Sequence, residues 1–150
     1  MTKRLAMALV LIGTLSMTQP ATAWTQPKGP CSESRYKITR DMPLSVRQDK
    51  SRAVIRCAFG RFAPGQADYA ITIASRESGL DPFAHNTWSD ARGLFQMLGR
   101  YWDGRVSAYL ERPWFPNRWP SVSAFSARAN ALVASKMVAR GGWSAWSTAG

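Results

Sequence analysis

The chain has 150 residues, 45% of them hydrophobic and 19% charged, and a formal net charge of +11. That length fits one domain with a core of ordinary size. Two cysteines and one histidine, far apart in sequence, leave no zinc signature, so neither a metal nor any other cofactor is expected. The charge points to a polyanionic partner without choosing among nucleic acid, anionic lipid and cell-wall polymer.

Lys3 and Arg4, the apolar run Leu5 to Met17 and the small-x-small site Ala21-Thr22-Ala23 have the three-part layout of a secretory signal peptide. The apolar run falls well short of the ~20 residues a spanning helix needs. Residues 1–23 are therefore read as a removable leader, and no membrane span is expected in the mature chain, Trp24–Gly150. That chain keeps 18 basic and 9 acidic residues, and 14 of the 18 are arginines, which favours bidentate contacts to carboxylates and phosphates. Export implies an oxidising compartment. Cys31 and Cys57 are accordingly read as a disulfide around 25 intervening residues, with two free thiols as the alternative.

Residues 24–43 are polar, basic and broken by Pro27, Gly29, Pro30 and Pro43, which predicts an extended arm anchored at Cys31. Residues 44–150 form the domain proper. Ile55, Ala58, Phe59 and Phe62 recur at helical spacing, with Ser45 as candidate cap and Gly60 with Pro64-Gly65 as the stop. A second helix over Gln66 to Ser78 is apolar around most of its surface, which predicts a central position. Gly79 suits its C′ position, and Pro82 prevents continuation. Asp81 to Arg92 reads as loop, Gly93 to Tyr101 is too short to assign, and Asp103 to Glu111 suits a short helix. Arg112 to Pro120 can be neither a regular helix nor a central strand. In the last helix Phe125, Ala129, Leu132, Val133 and Met137 share a face, Ser123 is the candidate cap and Gly141-Gly142 the stop. The predicted fold class is mainly α, with little or no β-sheet.

Glu77 lies in the last turn of the second helix. Burial and the negative end of a helix dipole both raise a carboxyl pKa, and such a carboxyl can deliver a proton at neutral pH. Arg76 is its neighbour, but adjacent residues do not face each other on a helix. Glu77 thus has the features of a general acid, although a solvent-edge glutamate paired with Arg100 or Arg105 would fit the local sequence as well.

The run after it shifts that balance. Glu77-Ser78-Gly79 is followed by Gly93-Leu94-Phe95-Gln96, and this pair resembles the catalytic segment of lysozyme-like enzymes, most closely the lytic transglycosylases. The likeness covers about Val54 to Thr148. Asn130 and the ending Gly141-Gly142-Trp143-Ser144-Ala145-Trp146 look like the G-W-x-x-W ending of secreted and phage-associated members. The resemblance implies a lysozyme-like single domain acting on peptidoglycan glycan strands, with Glu77 as acid/base. It also implies Gln96 and the backbone near Gly93 as lining of the cleft, and Ser78 as support for the turn.

The family's Ala-Tyr-Asn motif is absent, and Trp143 or Trp146 could close that side instead. Trp88, in a loop, is a candidate for stacking on a sugar face. Animal-type lysozymes place an aspartate where this chain has Ala91; Asp90, one residue off, is the possible second carboxylate. The missing aspartate favours a lytic transglycosylase, which ends in a 1,6-anhydromuramic product, over a hydrolytic muramidase on the same β-1,4 bond. From another class, a cationic cell-wall or nucleic-acid-binding protein that cuts nothing would account for the charge. No nucleic-acid motif is present, so nucleic acid is not expected as a partner. The reading is completed by a monomer that is extracellular, periplasmic or wall-associated.

Overall fold

The computed structural model describes residues 29–32, 36–115, 119 and 121–146. The predicted leader and the first residues of the arm lie outside them. Four α-helices dominate the described residues: α1 (Leu44–Phe62), α2 (Ala67–Ser78), α3 (Trp102–Tyr109) and α4 (Ala127–Gly141). The fold is mainly α, as expected. The segment between α2 and α3 adds three two-residue strands, β1 (His85–Asn86), β2 (Ala91–Arg92) and β3 (Met97–Leu98), in an antiparallel sheet ordered β1-β2-β3. His85 pairs with Arg92, and Arg92 with Met97. Strands this short carry no readable alternation, which is why the sequence read as loop over β1 and β2 and left the stretch holding β3 unassigned.

α1 turns Val54, Ile55, Ala58 and Phe59 inward, and each large apolar side chain so buried contributes roughly 1.5–3 kcal/mol. Its start differs from expectation. Pro43 occupies the cap position, and its carbonyl accepts from the Arg47 N–H at 3.0 Å; Ser45 sits inside the first turn. The helix also runs through Gly60 to Phe62 and stops only before Pro64.

The central helix is α4, not α2. Residues 127–135 of α4 are all buried, whereas α2 buries only Ala70, Ile73 and Ala74 and leaves Tyr69 half exposed. Small side chains explain the difference. Ala127, Ala129, Ala131, Ala134 and Ser135 let neighbours close on α4 from every side, but they carry little hydrophobic signal in sequence. α1 packs most extensively on α4, and α3 also packs against it. Ser126, not Ser123, caps α4: its side chain accepts from the Ala129 N–H. Ser123 Oγ accepts instead from the Phe125 N–H in the turn before the helix.

Cys31 and Cys57 are bonded, with Cα atoms 5.9 Å apart. Closing a loop of this length stabilises by roughly 3 kcal/mol through chain entropy. The buried Arg128 guanidinium supplies a second anchor, donating to the carbonyls of Pro30 and Trp114. The arm is thus tied to both α1 and α4.

Candidate active site

The site is assembled where α2 ends. Gly79 takes a left-handed conformation (φ 61°) and its N–H returns to the carbonyls of Ala74 and Ser75. Leu80 follows with φ 61° while fully buried. The left-handed region costs a non-glycine residue about 1–2 kcal/mol, which burial of the leucine offsets. α1 holds this turn from outside. Arg47 Nη1 donates to both Asp81 oxygens, at 2.9 and 3.1 Å, and Gln48 Nε2 donates to the Gly79 carbonyl. The chain therefore leaves the helix in one direction, with Glu77 on the groove side.

Glu77 is half-buried and lines a groove of about 340 Å³ with Arg76, Asn86, Ser89, Ala91 and Gln96. Burial pushes its carboxyl above the ordinary glutamate range, and the Arg76 charge pulls back only in part. Arg76 thus acts on Glu77 more than helix geometry alone suggested, because both side chains reach the same groove. The C-terminal end of the α2 dipole acts in the same sense as burial. Among the described residues no lysine or arginine forms an ion pair with Glu77, Arg100 and Arg105 included.

Across the groove stands Gln96, with φ 45°. Its Nε2 donates to the Gly93 carbonyl at 3.0 Å and, more weakly, to that of Ala84. Gly93 has φ 76°, and a Cβ there would collide with the Ala124 carbonyl and the Asn130 side-chain amide. Only glycine lets this turn seat so closely on the start of α4. Of the four non-glycine residues with positive φ among the described residues, Leu80, Asp90 and Gln96 fall in the segment that builds the groove. Backbone strain concentrated in this way is a mark of functional sites.

Asn130 organises the turn from below. It is completely buried, its Oδ1 accepts from the Phe95 N–H at 2.9 Å, and its Nδ2 donates to the carbonyls of Ala124 and Arg92. Sequence reasoning assigned it no role. The available signal was one asparagine inside a run of alanine, leucine and valine, where a polar side chain must find partners.

The other candidates are placed as follows. Ser78 Oγ lies 2.9 Å from the carbonyls of Ala74 and Leu94, joining the end of α2 to the turn before Gln96. Trp88 is 99% exposed at the tip of the β1–β2 connection, where Asn86 Oδ1 accepts from its N–H and from that of Ser89. Trp143 stacks on Phe59 with centroids 5.7 Å apart and donates to Gln66 Oε1. Trp146 packs edge-on to Phe95 and donates to its carbonyl. Both rings thus pack against the core, and neither lines the groove with Glu77.

Asp90 is engaged elsewhere. Its carboxylate pairs with Arg92 and with His85, and the Arg92 hydrogen bond holds its pKa below the ordinary range. It does not line the groove. Asp81, bound by Arg47, also accepts from the Phe83 N–H. A larger cleft of about 530 Å³ opens between the arm and the start of α4, but no carboxylate lines it among the described residues, and Arg40 already covers the rings of Phe83 and Phe125.

A mainly helical domain with a small three-stranded sheet is consistent with the lysozyme-like class. Residues 57–148 match the family described as Lysozyme like domain, and the chain belongs to that family, in the domain type of lytic transglycosylases. Neither curated proteins nor solved structures yield a match. Family membership supports peptidoglycan cleavage as the general activity. No described helix is long and apolar enough to cross a membrane, and the disulfide is compatible with export.

Proposed function

We propose that this protein is a peptidoglycan lytic transglycosylase in which Glu77 is the only catalytic carboxylate. The observation that carries the reading is the contrast among three acids: burial raises Glu77 toward the proton-bearing form, while Asp90 and Asp81 are committed to arginines. Protonated Glu77 gives its proton to the glycosidic oxygen between N-acetylmuramic acid and N-acetylglucosamine. The bond from that oxygen to the muramic C1 breaks, and the carboxylate left on Glu77 then takes the proton of the muramic C6 hydroxyl as its oxygen bonds to C1. The electron count closes without water, and Glu77 ends protonated. An intramolecular hydroxyl competes with water at high effective concentration, so a groove with no second carboxylate among its described lining residues favours the 1,6-anhydro product.

Within this reading residues 44–150 are the catalytic domain and residues 24–43 an arm that braces it. Trp88, on the connection whose Asn86 and Ser89 line the groove, stacks on a sugar face. The mature protein works as a monomer outside the cytoplasm after removal of residues 1–23. The test is mass spectrometry of fragments released from purified cell wall by wild type and Glu77→Gln. Anhydro ends, lighter by one water than reducing ends, are expected from wild type, and under a few per cent of that turnover from the variant. Reducing ends alone would make the enzyme a muramidase; equal release by the variant would remove Glu77 from the chemistry.

A further inference from the structure

The last described residues carry a role that the groove itself does not display. The peptide leading into Gln96 is held by side chains from three separate elements. Ser78 on α2 reaches the Leu94 carbonyl, Asn130 on α4 accepts the Phe95 N–H, and the indole of Trp146 donates to the Phe95 carbonyl at 3.0 Å. The Phe95 carbonyl and the Gln96 N–H belong to one rigid peptide plane, and the Gln96 N–H donates to the Gly93 carbonyl at 3.2 Å. That plane is therefore gripped at both ends, and it is one of the two planes between which the positive φ of Gln96 is measured.

We propose that Trp146 is a positioning residue: by fixing the Phe95 carbonyl, its indole N–H holds Gln96 in the left-handed conformation in which its side chain lines the groove shared with Glu77. The proposal rests on the groove of Glu77 and Gln96 being the reaction site. A left-handed glutamine persists only where its surroundings over-determine it, and the Trp146 bond is the one constraint in this set contributed by the chain's ending. The ring is itself braced, packing on Trp143 at 5.5 Å, which in turn stacks on Phe59 and meets Tyr69 edge-on at 4.9 Å. This ladder of rings links the first turn of α2 to the Gln96 peptide, so the helix that carries Glu77 and the turn that carries Gln96 share one brace.

Trp146→Phe keeps an aromatic ring and deletes the donor. Trp102→Phe is the control, because it removes another buried indole donor, to the Val122 carbonyl, away from the groove. Two measurements are made on both variants: NMR chemical shifts of Gln96 that report its φ, and turnover of purified peptidoglycan. Trp146→Phe is expected to move the Gln96 backbone and side-chain signals and to lower kcat about tenfold or more with KM within about twofold, while Trp102→Phe does neither. Unmoved Gln96 signals in Trp146→Phe, or an equal kcat loss in Trp102→Phe, would overturn the proposal. Should Glu77→Gln retain full turnover, the catalytic reading falls, and the NMR comparison still decides whether Trp146 sets Gln96.

Discussion

Replacing Asn130 by alanine probes the turn more sharply than any change in the groove. The substitution leaves the Phe95 N–H and the Ala124 carbonyl, both on buried residues, without a partner, and also strips a bond from the Arg92 carbonyl. Each buried group left unpaired costs about 1–3 kcal/mol, and the lost side chain adds a small void. Allowing for partial relaxation, Asn130→Ala should lose about 3–4 kcal/mol, equivalent to a fall in Tm on the order of 10 °C for a domain of this size. Total stability is typically about 5–15 kcal/mol, so the variant remains folded at room temperature and can be followed by urea denaturation. Asn130→Asp adds a check on the sign. One oxygen still accepts from Phe95, but the other faces two carbonyls, and only a protonated carboxyl can donate to either of them. The folded-state pKa is then raised, the folded state binds the extra proton, and stability falls as pH rises past the unfolded value of about 3.9. A loss below about 1 kcal/mol for alanine, or a pH-independent aspartate variant, would refute the account of the turn.

The raised Glu77 pKa has its own signature: the stability associated with the protonated form is complete below the unfolded pKa and is lost as pH rises through the folded one. Parallel melts from about pH 3 to 8 should show Glu77→Gln gaining on wild type as pH rises, by a small amount because solvent screens a half-buried group. Ser51 is buried on α1 with no partner for its hydroxyl among the described residues, so Ser51→Ala should raise stability by about 1 kcal/mol in urea; a loss would reveal a partner. Trp88→Ala should leave the melting temperature unchanged, since the ring is 99% exposed, and raise KM for peptidoglycan about tenfold, the loss of a stacking contact. An unchanged KM would remove Trp88 from sugar binding.

Much of the helical frame is legible from local signals alone. Apolar spacing marks α1 and α2, Gly79 with Pro82 marks where α2 must end, and that ending places Glu77 in a last turn. The two cysteines of the chain could be paired because there was no third. What required the tertiary structure was every choice between equivalent local options. Ser123 and Ser126 are both competent caps, and packing of α4 selected the second. Asp90 was a free carboxylate on paper until the hairpin brought Arg92 and His85 to it. Trp143 and Trp146 could have faced sugar, but the rings of Phe59 and Phe95 are where their apolar area is buried. The importance of Asn130 was invisible for the same reason: its three partners lie up to 38 residues away, and only folding brings a buried amide to orphaned backbone groups. Local sequence sets which conformations are cheap, whereas burial and hydrogen-bond satisfaction, which depend on distant residues, decide which of them the site uses.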